Sequence, residues 1–262
     1  NSKFPNKYTN LSVTINARSF EEAYHKSIDN LDFIRGILNY KINTINGLIN
    51  TDLKSPINRL ILGPIHSCFY NDISKLDESY INDNVALFHG SIRPCNILQI
   101  SPEILDYLDI FRKILSKSKY EVDLRNIVIS YARALDIFDY DVAFIRLWSL
   151  LEHLTHTLKE KYDETIKRVS NLFEDKEYHR QILSTIRNTR NINVHFHNSS
   201  SDSMMLIDKL KHYVEELIYF HVFNEMKFAS IKEAGEFMEI LSKPVDKQLK
   251  LYQLAKEFLS KD

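Results

Sequence analysis

Apolar and polar positions alternate along residues 10–17 (NLSVTINA), with Leu11, Val13, Ile15 and Ala17 on one side, which predicts a strand. Ser19 then offers an N-cap hydroxyl, and Glu21 and Glu22 fall in the first turn of a helix predicted over 20–40. Its expected inner stripe is Ala23, Ile28, Leu31, Ile34 and Leu38. From 42 to 100 the pattern is mixed. Ile61-Leu62 and Val85-Ala86-Leu87-Phe88 read as short buried strands, separated by turn signals at Gly63-Pro64 and Gly90.

The period changes at Ser101-Pro102, where Ser caps and Pro opens a helix. Helical spacing then continues almost to the end, predicting helices at 102–117, 122–138, 141–161, 163–173, 176–193, 204–227, 230–241 and 245–260. The polar run Asn198-Ser199-Ser200-Ser201-Asp202-Ser203 reads as the clearest loop. The expected fold class is mainly α, with a small α/β segment over 1–100 and a helical bundle over 101–262. No internal repeat is visible.

Composition sharpens this picture further. Five Gly and six Pro in 262 residues are few, which leaves room for long helices and counts against an all-β fold. The formal net charge of −1 gives no general field for nucleic acid or membrane, so any RNA contact must be a local patch. Hydrophobic residues at 44% and charged residues at 26% suit one large globular domain or two smaller ones. Cys68 and Cys95 lack CxxC spacing and read as two reduced thiols of a cytoplasmic protein. No stretch approaches the roughly 20 apolar residues of a membrane span, and no signal peptide is present, so no membrane partner is expected. The chain begins at Asn1 rather than Met, which leaves room for an upstream segment.

The stretch Ile186-Arg187-Asn188-Thr189-Arg190-Asn191-Ile192-Asn193-Val194-His195-Phe196-His197 holds the most chemistry. A guanidinium offers phosphate oxygens a planar fork of donors. An imidazole titrates near neutrality and can move a proton to or from a ribose hydroxyl or a leaving oxygen. Asn191 can orient either. On a helix Asn191 and His195 lie about 40° apart, whereas Arg190 and His195 lie about 140° apart. Both reach one phosphate only if the helix end unwinds or a second subunit supplies part of the site. Alone, the pattern is short and weak, and a surface Arg capping carbonyls beside an ordinary His is the better explanation of it.

A second stretch changes the balance: Ala143-Phe144-Ile145-Arg146-Leu147-Trp148-Ser149-Leu150-Leu151-Glu152-His153-Leu154, a helix with the single Trp. Together the two resemble the HEPN superfamily, whose hallmark is an R-x(4–6)-H motif with a polar residue after the Arg, here Arg190-Asn191-Ile192-Asn193-Val194-His195. The Leu-Trp-x-x-Leu-Glu helix, the Ser-rich run after the His, and Phe228-Ala229-Ser230-Ile231-Lys232-Glu233 are similar to the Apea-like branch. The resemblance covers roughly 120–242, and more loosely 11–40. It implies a helical bundle that forms a homodimer with two Arg-His motifs facing each other. It also implies metal-independent endoribonuclease activity on an RNA substrate, with no cofactor, in bacterial antiviral defence (abortive infection) or as a toxin. An antitoxin or regulatory domain is a further implied partner. Some toxin relatives carry Tyr two residues after the motif His, where a partner nucleotidyltransferase modifies it. His197 stands there in this chain, against that route of neutralisation.

Other residues carry competing readings. His195-x-His197 is a two-ligand metal fragment if extended, but no Cys, Asp or further His lies close by in sequence to complete a set. Glu152 is expected to face Arg190 or cap the motif, or else to pair with a Lys or Arg on its helix flank. His153 and His156 read as surface or core-edge residues, and Trp148 as core. Arg187, with Lys176, Arg180 and Arg190 against Glu177 alone over 176–198, makes a mildly basic surface that suits RNA phosphates or is simply a solvated helix face. No P-loop, GxSxG, zinc-finger or dinucleotide signature is present. The competing functional class is a non-catalytic HEPN module that binds nucleotide, RNA or a partner protein.

Overall fold

Ser19 starts the first helix, α1 (Phe20–Asn46). Its hydroxyl accepts from the Glu22 N–H at 3.1 Å, while the Glu22 carboxylate accepts from the Arg18 N–H at 2.8 Å, so donors at the helix start are met from both sides. The structure, a computed structural model, describes residues 11–46, 56–63, 65–69, 76–81, 102–158, 162–196, 201–242 and 244–259; within the helices and strands, the side chains of 44–46, 65, 76–81, 189–196, 201–204, 248, 257 and 259 are not described. Among these residues the chain is mainly helical. After α1 come strands β1 (Ile65–Phe69) and β2 (Leu76–Ile81), then α2 (Pro102–Leu115), α3 (Glu121–Leu135), α4 (Tyr140–Leu154) and α5 (Tyr162–Ser170). The last four helices are α6 (Lys176–Phe196), α7 (Ser201–Phe223), α8 (Ile231–Ile240) and α9 (Val245–Leu259).

Two compact units share the chain. The first takes Asn1–Ser116 and Arg125–Ala143, and the second takes Lys117–Leu124 and Phe144–Asp262. In the first, the α1 face expected to be an apolar stripe is instead mixed. Ile34 is exposed, while Asp32, Arg35, Asn39 and Asn43 are buried beside Phe33, Ile37 and Tyr40. The polar side chains can face inwards because each finds a partner. Arg35 pairs with Asp32 at 2.7 Å and Asp136 at 2.6 Å, and Asp32 also pairs with Arg133 at 2.6 Å. Asn39 donates to the Leu60 carbonyl at 2.8 Å and accepts from its N–H at 2.9 Å. Around this network Tyr40, Tyr107, Phe111 and Tyr131 make an aromatic cluster with centroids 5.9–6.5 Å apart. Gly36 permits the close approach of α1 and α3, since a Cβ there would lie 2.8 Å from the Val128 carbonyl oxygen.

The strand expected over 10–17 is absent from residues 11–17, and Ile61-Leu62 is likewise not in a strand. Among the described residues β1 pairs only with β2, antiparallel, from Ile65 opposite Ile81 to Phe69 opposite Leu76. Alternation without a neighbouring strand to complete the hydrogen-bond ladder does not make a strand. The strand expected at Val85–Phe88, the Gly90 turn and the Ser101 cap lie outside the described residues.

The second unit holds the later helices. The helix expected over 141–161 stops at Leu154. There the His156 N–H bonds the His153 carbonyl at 3.0 Å and the Thr157 N–H bonds the Glu152 carbonyl at 2.8 Å, with His156 at φ 55°. This pair of bonds is a Schellman stop, in which a left-handed residue closes the last turn. Helix α7 begins at Ser201, so the last residues of the predicted polar loop are helical. Ser and Asp are as much at home in the opening of a helix as in a loop. The core joins Leu147, Leu151 and Leu154 of α4, Ile166 and Val169 of α5, Leu183 and Ile186 of α6, and Leu210, Tyr213 and Leu217 of α7, all buried.

Candidate functional site

Helix α6 carries the Arg-His motif, and its first half is held at four points. Lys176 Nζ donates to the Leu241 carbonyl at 2.7 Å, which satisfies an acceptor at the end of α8. His179 Nδ1 lies 2.9 Å from the Tyr213 hydroxyl, and its ring stacks on Phe173 at 4.0 Å. Leu183 and Ile186 are buried. Arg187 Nη1 donates to Asp163 Oδ1 at 2.6 Å. The motif begins three residues beyond Arg187.

The backbone of α6 continues as α-helix through Phe196, so the helix end does not unwind before His195. On a continuous helix position 190 lies within about 40° of positions 183 and 186, on the side that is buried one and two turns earlier. Position 195 lies about 140° further round. Arg190, Asn191 and His195 are therefore placed by their backbone, and their side chains lie outside the described residues, as does His197 altogether.

Of the supporting residues, Glu152 accepts a hydrogen bond from Trp148 Nε1 at 2.9 Å, one turn back on α4. Trp148 is buried, stacks on Phe144 with centroids 6.3 Å apart, and meets the Tyr162 ring edge-on at 6.0 Å. Asp163, the next residue, is the partner of Arg187. The two sequence motifs are thus joined through the first turn of α5: Trp148 to Tyr162, then Asp163 to Arg187. Sequence reading singled out neither Tyr162 nor Asp163. The available signal was an acidic residue in the first turn of a short helix between two motif-bearing ones.

The basic surface expected over 176–198 is largely engaged. Besides Lys176 and Arg187, Arg180 stands 3.7 Å from Glu177. Asp163 and Glu177 are exposed, so an incoming phosphate would compete with well-solvated carboxylates.

The last turn of α7 holds a buried titratable group, away from the motif. His221 on α7 has Nε2 2.8 Å from the Leu154 carbonyl and Nδ1 3.0 Å from the Tyr120 hydroxyl. A carbonyl only accepts, so Nε2 carries the proton and Nδ1 accepts from Tyr120. Burial, with a small contribution from His153, holds its pKa down at about 4. Burial also lowers the pKa of His153 and raises that of Tyr120 to about 12. The bonds of His221 to the Leu154 carbonyl and the Tyr120 hydroxyl tie the end of α4 to the last turn of α7.

Among the described residues no three His, Cys, Asp or Glu side chains gather into a set that could hold a metal ion. None of their helices is long and apolar enough to cross a membrane. Comparison of the chain with protein-family models, with curated proteins and with solved structures returns no match.

Proposed function

We propose that this protein is a metal-independent endoribonuclease of the HEPN type, cytoplasmic and acting as a homodimer, in bacterial anti-phage defence or as a toxin. The observation that supports the reading is the Arg190-Asn191-x3-His195 motif on the final turns of one uninterrupted helix, in the unit that also holds the Trp148–Glu152 helix. Because that helix is continuous, one copy offers Arg190 and His195 about 140° apart. A two-fold axis beside the motif removes the difficulty by facing Arg190 of one protomer towards His195 of its partner.

In this reading the ribose 2′-hydroxyl attacks the adjacent phosphorus. A P–O bond to the 2′-oxygen forms, the P–O5′ bond breaks, and the products are a 2′,3′-cyclic phosphate and a 5′-hydroxyl. His195 takes the 2′-hydroxyl proton or delivers one to the leaving 5′-oxygen, Arg190 stabilises charge on the phosphorane, and Asn191 positions the phosphate or His195. An internal nucleophile needs a proton acceptor and charge stabilisation, and no metal-bound water. Arg187 is held by Asp163 and serves at the edge of the site. The experiment is incubation of purified protein with total RNA in EDTA. Degradation supports the reading. Intact RNA, with tight binding of RNA, nucleotide or a partner such as an antitoxin, favours a non-catalytic module.

A further inference from the structure

Helix α9 turns a large apolar surface to water. It spans Val245–Leu259, and each of its side chains that is described is exposed. Val245, Leu249, Leu251, Tyr252, Leu254 and Phe258 show 52–76% of their surface. Leu251, Leu254 and Phe258 recur at i, i+3 and i+7, which makes one continuous face. A helix of fifteen residues is marginal in water unless such a face packs on something.

The same unit carries an apolar groove of about 350 Å³ between α6 and α7. Ile186 and Leu206 form its buried floor, Ile182 lines it, Tyr178 and Met205 form exposed walls, and Lys209 gives it a polar edge. The groove and the face are comparable in length. Tyr178 to Ile186 spans about 12 Å of helix, and Leu251 to Phe258 about 10 Å.

The chain also ties the two together. Lys176, the first residue of α6, holds the Leu241 carbonyl at 2.7 Å. The point from which α9 departs is therefore fixed two residues before the groove's first wall, Tyr178. From Leu241 to Val245 the chain reaches at most about 14 Å, enough to lay α9 alongside α6. So short a tether makes docking intramolecular, at a high effective concentration.

We infer that α9 closes onto the α6–α7 groove of its own chain, with Leu251, Leu254 and Phe258 seated against Ile182, Ile186 and Met205. In the closed position α9, about 22 Å long, extends beside α6 as far as the turns that carry Arg190. This inference stands on the groove, the helix and the tether, and is independent of the RNA-cleavage reading.

Limited oxidation by hydrogen peroxide, read by peptide mass spectrometry, tests it. Met205 reports the groove; Met226, 53% exposed beyond the far end of α7, is an internal reference; Met238 is fully buried and reports the fold. The full chain is compared with the full chain carrying Leu251→Glu, Leu254→Glu and Phe258→Glu, all at exposed positions. Closure protects Met205 in the parent by at least ~5-fold relative to the variant, with Met226 unchanged, because reaction then requires local opening. Equal Met205 rates overturn the inference. So does protection that fades on about twentyfold dilution, since a second copy would then supply the helix. A second measurement uses the parent alone. Its α9 amides exchange hydrogen at least ~10-fold more slowly than unstructured chain if the helix is docked, and exchange at the unstructured rate overturns the proposal.

Discussion

Arg187 Nη1 lies 2.6 Å from Asp163 Oδ1, and this contact joins the helix that carries the Arg-His motif to the turn that packs under Trp148. Asp163 is 79% exposed, so the pair adds little stability, no more than about 1 kcal/mol. Arg187→Ala is therefore expected to leave the thermal midpoint within a few degrees of the parent. Its effect should fall on RNA affinity, with a shallower salt dependence because one phosphate contact is lost. A large drop in midpoint with unchanged RNA affinity would make the contact structural.

Trp148 behaves oppositely. It is buried between Phe144 and Tyr162, and its indole N–H bonds Glu152. Trp148→Ala is expected to cost roughly 3–5 kcal/mol through the cavity it leaves. Trp148→Phe keeps most of the apolar contact and loses the Glu152 hydrogen bond, for about 1 kcal/mol. Denaturant unfolding of both variants gives the ratio. Equal losses would show that the hydrogen bond, not the packing, carries the residue.

His156 closes α4 at φ 55°, a left-handed conformation that costs a side-chain-bearing residue energy. His156→Gly should stabilise the protein by roughly 0.5–1 kcal/mol, since glycine adopts that conformation freely. A lower midpoint in His156→Gly would mean that the imidazole makes contacts outweighing the backbone strain.

His221 predicts an acid limb. Folding lowers its pKa from 6.5 to about 4, so between those values the unfolded chain binds the extra proton. Stability then falls as pH drops from about 6.5 towards about 4, by up to about 3 kcal/mol, and this loss is absent above pH 7. His221→Gln keeps a donor and an acceptor and cannot titrate. Plotted against pH, the stability difference between parent and His221→Gln should slope through that window. A flat difference would contradict the buried neutral imidazole.

The helical half of the fold was legible because its segments are long and strongly periodic: Lys176–Phe196 and Val245–Leu259 fall within three residues of the predicted bounds at either end. The stop at Leu154 was not, because its left-handed residue is a histidine where glycine is the usual signal. The inner face of α1 was misread for a related reason. Hydropathy cannot tell that buried Asp32 and Arg35 find charged partners at the edge of the core, since Arg133 and Asp136 lie about a hundred residues away in the chain. The proposed site rests on a motif alone, on the residue types at Arg190, Asn191 and His195. The Asp163–Arg187 contact beside it was not legible, because the two residues meet only through folding.

Arg190 and His195 are proposed to cut RNA by transfer to the 2′-oxygen. The most direct measurement is mass spectrometry of RNA ends after incubation with the purified protein, with and without EDTA, for the parent, His195→Ala and Arg190→Ala. The expected products carry 2′,3′-cyclic phosphate ends whether or not EDTA is present. Activity is expected to fall by at least ~100-fold in His195→Ala, the scale of a missing general acid–base group, and comparably in Arg190→Ala, with thermal midpoints close to the parent's. Metal-dependent cleavage leaving 3′-hydroxyl ends, or full activity in His195→Ala, would contradict this mechanism.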